Sequence, residues 1–161
     1  MKTTLKPSLT AWPPITLVTA ALCFLTQAAA KLFGIELPDQ ANLEIVRRAA
    51  GWNLNFALLV LQIVVVLPAV EELVFRLPLK IAFRKKWRLP NAIVFAAVLS
   101  ALFSAAHYIV QPFPDSAFVA LFFFGLAQCH LYRKTGSILA PVLNHALFNL
   151  TNLVLLFVIP A

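Results

Sequence analysis

Glu71, Glu72 and Arg76 fall within a few residues of one another in a run that is otherwise apolar, from Leu67 through Leu77. On a helix, at about 100° per residue, Glu72 and Arg76 lie ~40° apart on one face and one turn along, the spacing of an i,i+4 ion pair. Glu71 points about 100° away from Glu72. Glu72 and Arg76 would therefore hold each other, leaving Glu71 to face an interior cavity where a carboxylate can serve as a general base. Two further i,i+4 pairs, Phe103 with His107 and His145 with Asn149, bring imidazoles and an amide. A carboxylate, imidazoles and an amide are the groups needed to activate a water and to stabilise a developing oxyanion. The bland reading of the same residues is helix-packing hydrogen bonds, which a lone His or Asn in an apolar helix often supplies.

The elements that must position these groups are long apolar segments. One runs from about Trp12 to Phe33, preceded by Lys2 and Lys6. It has the ~20 residues that a spanning helix needs. Ala28-Ala29-Ala30 gives it a rival reading as a cleaved signal, but a retained helix is expected because further spans follow. Lys31 to Gly51 reads as a loop with a short interfacial amphipathic helix. Trp52 to about Phe83 is too long for one straight span and predicts a bent or tilted helix. Asn91 to Val110, Ser116 to Tyr132 and Ser137 to about Ile159 complete the set, punctuated by Gln111-Pro112-Phe113-Pro114-Asp115 and by Arg133-Lys134-Thr135-Gly136. The expected fold is an all-α polytopic transmembrane bundle of about five spans around an intramembrane polar cavity, one domain covering residues 1–161.

Composition agrees. Of 161 residues, 61% are hydrophobic and 12% charged, and the mean hydropathy is +0.88. Too few polar residues are present to cover a core in water, so lipid must cover it. The net charge of +7 is gathered into Lys80-Arg84-Lys85-Lys86-Arg88 and Arg133-Lys134, between apolar stretches. These clusters read as topology signals, and no aromatic residues are interleaved on a polar face to stack bases, so nucleic acid is not expected as a partner. Placing both clusters in the cytoplasm puts the N-terminus there too. Cys23 and Cys129 suit packing; there is no disulfide framework, and Cys129 and His130 point apart on a helix.

Depth follows from the same layout. At roughly 1.5 Å per residue from the cytoplasmic ends of their spans, Glu71 and Asn149 lie about 18 Å in, His145 about 12 Å and His107 about 24 Å. Polar groups from three helices thus share one band. Charges at membrane depth are costly, about 2.5–3.5 kcal/mol each on insertion scales, and imply mutual pairing.

Glu71-Glu72-Leu73-Val74-Phe75-Arg76 fits an EExxxR motif, Phe103-Ser104-Ala105-Ala106-His107 an FxxxH and His145-Ala146-Leu147-Phe148-Asn149 an HxxxN. In these three motifs, taken in order, the chain resembles the CPBP family of intramembrane proteases, which joins CAAX prenyl endopeptidases with bacteriocin-processing enzymes and is also called the abortive-infection family. Thr135-Gly136-Ser137-Ile138-Leu139-Ala140-Pro141 resembles the family's lead into its last motif, so the likeness covers about residues 68–152. The resemblance implies an intramembrane endopeptidase in which Glu71 is the catalytic base and His107 helps to orient the water. His145 and Asn149 would donate to the oxyanion, with Glu72, Arg76 and Phe103 in support. No serine nucleophile is needed, and Ser100 and Ser104 are expected to bond to backbone carbonyls.

Glu71, His107 and His145 could also form a catalytic zinc set, and family members were long described as metalloproteases. The metal-free, glutamate-type reading is preferred because Asn149 and the Glu72/Arg76 pair have roles in it; no cofactor is then required. The chain is similar in size to compact bacterial members, which implies a bacterial inner or plasma membrane. Substrates would be membrane-anchored proteins, prenylated or bearing a sorting signal. Two other readings are a non-catalytic peptide-binding or immunity protein of the same fold and a proton-coupled transporter, the latter lacking paired broken helices.

Overall fold

The computed structural model describes residues 2–37, 41–51, 53–84, 89–109 and 115–158. The basic residues Lys85, Lys86 and Arg88 and the breaker at 111–114 lie outside the described residues. Along the chain run α1 (Lys2–Leu32), α2 (Ala41–Ala49), α3 (Leu54–Leu61), a π-helical turn (Gln62–Val66), α4 (Leu67–Arg76), α5 (Leu79–Arg84), α6 (Leu89–Ala106) with a 3-10 turn (His107–Ile109), α7 (Ala117–Thr135) and α8 (Leu139–Val158). No strand occurs among the described residues, and the fold is the all-α bundle expected. In a bilayer only helices or closed barrels satisfy their backbone groups, and the hydroxyls follow the same rule. Thr19, Thr26, Ser100 and Thr151 each donate to the carbonyl four residues earlier on their own helix.

Among the described residues four helical stretches are long and apolar enough to cross a membrane: Leu5–Leu32, Leu54–Ala82, Pro90–Ile109 and Leu139–Val158. The five-span expectation also counted α7. At 19 residues α7 has the length, but Gln128, His130, Arg133 and Lys134 lower its hydropathy. The reason is its place: α7 is the inner helix, packed by α1, α6 and α8 and touched by α4. Ala120, Phe124, Gly125, Gln128 and Cys129 are all buried along it. A helix wrapped by its neighbours needs less apolar outer surface. The outer helices show the complement, with Leu17, Phe24, Leu58, Val94 and Val154 at least half exposed, as expected where lipid is the solvent.

Gly125 allows a close helix approach. A Cβ there would meet Ser100 Cβ at 3.0 Å and its Cα at 3.1 Å, so the missing side chain lets α6 and α7 come together, a small-residue contact typical of membrane bundles. α1 joins the bundle through polar bonds: Ser8 Oγ donates to Ala140 O at 3.0 Å and Trp12 Nε1 to Thr151 Oγ1 at 3.1 Å. α7 ends at Gly136, whose φ of +65° forms a left-handed cap with its N–H on Tyr132 O. At the other end Asp115 accepts from Tyr108 Oη and from the backbone N–H of Ala117.

Candidate active site

The bend expected between Trp52 and Phe83 is built around Pro68. Proline has no N–H and its ring crowds the preceding turn, so the α-ladder cannot continue through it. The chain widens into a π turn over Gln62–Val66, and the N–H of Leu67 bonds to Gln62 O instead of Ile63 O. The next amide along, at Pro68, offers no hydrogen. Ile63 O is thereby left without a helical donor, and Asn149 of α8 supplies one, its Nδ2 donating at 2.9 Å. The helix carrying both glutamates starts directly after this tie, and π turns recur at functional sites.

Below the tie the charged groups form a chain. Arg76 Nε lies 2.8 Å from Glu72 Oε2, with both side chains wholly buried, as the i,i+4 spacing anticipated. Glu72 Oε1 accepts from His145 Nδ1 at 2.9 Å. The other ring nitrogen of His145, Nε2, faces Glu71 Oε2 at 3.6 Å. This is too long for a hydrogen bond but close enough for one small molecule to touch both. Glu71 is the accessible carboxylate, its side chain 26% exposed. Donation from Nδ1 fixes the ring tautomer, so Nε2 is an acceptor in the neutral imidazole and a donor in the imidazolium.

Phe103 is the packing centre. Wholly buried, its ring meets Phe75 at 5.5 Å, His107 at 4.7 Å and His145 at 5.9 Å. The Arg76 guanidinium carbon lies 4.9 Å from its centroid. That cation–π contact covers one face of the buried guanidinium. Phe124 of α7, which sequence reasoning passed over, packs on His145 at 4.9 Å and on Phe148 at 4.6 Å.

His107 is anchored through Nδ1 to its own helix, at Phe103 O, 2.9 Å away. Its Nε2 is thus an acceptor in the neutral ring. Among the described residues no hydrogen bond or ion pair joins it to Glu71. The structure therefore unites Glu71, Glu72, Arg76 and His145 directly, attaches His107 through Phe103, and places Asn149 on the π turn. Counting depth from Phe83 had set Asn149 level with Glu71. In the structure Glu71 instead lies opposite His145, and Asn149, one turn further along α8, meets the π turn.

A second polar string was missed. Gln128 Nε2 donates to Asn144 Oδ1 at 2.7 Å and Asn144 Nδ2 to Ser8 O at 3.1 Å, tying α7, α8 and α1 together beside His145. The signal available was a Gln and an Asn inside apolar helices. Both serines near His107 are backbone-satisfied, Ser100 by Ala96 O and Ser104 by Phe118 O at 2.8 Å. Cys129 is buried and the adjacent His130 exposed. Among the described residues no three His, Cys, Asp or Glu side chains come together as a metal-holding group, and this includes Glu71, His107 and His145.

No curated protein and no solved structure matches the chain. Residues 53–151 match the Rce1-like family, described as type II CAAX prenyl endopeptidase Rce1-like. The matched stretch exceeds half of the chain and holds the π turn, Glu71, Glu72, Arg76, Phe103, His107, His145 and Asn149. With its helices apolar enough to span a membrane and its three motifs converging, the chain belongs to the Rce1-like type II CAAX prenyl endopeptidase family, the membrane-embedded proteases that act on membrane-associated proteins.

Proposed function

We propose that this protease hydrolyses a peptide bond within or near the membrane with a water activated by Glu71. The observation that carries the reading is the chain Arg76–Glu72–His145–Glu71, in which two buried charged groups hold a buried imidazole against the one partly exposed carboxylate. Glu71 takes a proton from water as the oxygen attacks the scissile carbonyl, and His107 Nε2 accepts a hydrogen bond from the water's other hydrogen, which stays on the attacking oxygen. The oxyanion gathers at His145 Nε2–H in its imidazolium form and at the second Nδ2 hydrogen of Asn149, the first being held by Ile63. The proton on Glu71 then passes to the leaving amine as the C–N bond breaks. Donors fixed before the reaction need little reorganisation during it, which is where such sites gain most of their rate.

The residues form a single membrane domain whose substrates are prenylated or sorting-signal-bearing proteins of a bacterial inner or plasma membrane. The basic clusters in the sequence support an N-terminus in the cytoplasm. The test is a comparison of membrane proteomes from cells carrying the active protein and its Glu71→Gln variant, reading new peptide termini. Termini present only with the active protein support the reading. Identical termini in both would leave the fold as a binding protein.

A further inference from the structure

A groove of about 150 Å³ opens between α5, α6 and α7, and neither glutamate of the Glu71 cluster lines it. Its hollow comes from Ala92 and Ala96, one turn apart on α6, where nothing extends beyond Cβ. Leu79 of α5 closes one side. On α7, Leu126, Cys129, His130 and Arg133 line the groove at positions i, i+3, i+4 and i+7, a single stripe that begins apolar and ends cationic. The stripe is about 10 Å long at ~1.5 Å per residue, near a third of a ~30 Å hydrocarbon layer.

Among the described residues no ion pair compensates the cationic end. Arg133 and His130 are exposed, as are the neighbouring Lys134 and Lys80. From Leu73 onward the sequence holds one acid, Asp115, and that residue caps the opposite end of α7. A free anion would match the cations and ignore the apolar slot; a neutral lipid would fill the slot and ignore the cations. A ligand with a phosphate joined to an acyl chain matches both, and basic pockets between helices at a membrane surface take such headgroups.

We propose that this groove binds an anionic phospholipid, its phosphate on Arg133 and His130 and the first carbons of one acyl chain over Ala92 and Ala96. Arg133 supplies paired N–H donors to the phosphate and His130 a ring N–H. The chain lies on the alanines where, among the described residues, no side chain fills the space.

The full-length protein, purified in detergent, is titrated with phosphatidylglycerol and with phosphatidylcholine of the same chains, and bound lipid is read by native mass spectrometry. Phosphatidylglycerol is expected to bind about fivefold or more tightly than phosphatidylcholine, near the effect of one basic residue at a membrane surface. Arg133→Gln should remove that preference while retaining both lipids weakly. Ala96→Leu should weaken both lipids together, and Ala92→Leu serves the same purpose if the first variant does not fold. Wild-type preference in Arg133→Gln, or wild-type binding in a folded alanine variant, overturns the proposal. So does displacement of phosphatidylglycerol by inorganic phosphate alone, which marks a free-anion site, or by a farnesylated peptide, which marks a substrate path.

Discussion

The side-chain amide of Asn149 donates to the carbonyl of Ile63 at 2.9 Å, occupying the place of the hydrogen that Pro68 cannot offer. The bond joins α8 to the turn that aims Glu71. Asn149→Ala should leave Ile63 O unsatisfied inside the bundle and cost about 1 kcal/mol of stability. In a Pro68→Ala background the new N–H can serve Ile63 O itself, so the same substitution should then cost much less. Unfolding of the four proteins in a double-mutant cycle measures the difference. An Asn149→Ala penalty that is unchanged by Pro68→Ala would contradict the assignment.

Glu72 and Arg76 are both wholly buried and in contact, so removing one strands the other. Arg76→Ala should destabilise the protein by roughly 3–5 kcal/mol, while replacing both with apolar residues of similar volume, Glu72→Leu with Arg76→Met, should recover much of the loss. Proteolysis should not recover with it, because Glu72 also orients His145 through Nδ1. Chemical unfolding and cleavage rates measured on the same samples separate the two effects. Recovered cleavage in the double variant would show that Glu72 only holds Arg76.

Close approach of α6 and α7 depends on Gly125. Gly125→Ala puts a methyl 3.0 Å from Ser100 Cβ and should cost about 1–3 kcal/mol by overpacking. Ser100→Gly in the same chain should restore part of it. Thermal midpoints decide, and an unaffected midpoint for Gly125→Ala would show that the contact is slack.

Local periodicity explains which parts of this site were legible in the sequence. The Glu72–Arg76 pair, the exposure of Glu71 and the shared faces of Phe103 with His107 and His145 with Asn149 all follow from helix geometry within a few residues. The length of the run from Trp52 to Phe83 implied a bent or tilted helix, and the Arg133-Lys134-Thr135-Gly136 breaker the end of α7. The polar string Gln128–Asn144–Ser8 was not legible, since its partners lie on three helices and meet only through packing. Nor was the detour of Asn149 to Ile63 O, which depends on how a π turn redistributes hydrogen bonds around a proline. The inner position of α7 was hidden for a related reason: hydropathy reports what faces lipid, and α7 faces its neighbours.

Glu71 is the partly exposed member of the cluster and touches His145 only at 3.6 Å, so Glu71→Gln changes its proton chemistry with little change in packing. The measurement that bears most directly on its role is the cleavage rate of a membrane-anchored substrate by wild-type and Glu71→Gln protein reconstituted in the same vesicles. Loss of the general base should lower the rate by about 10²–10⁴-fold with an unchanged unfolding midpoint. A Glu71→Gln protein that cleaves within a few-fold of wild type would contradict the account.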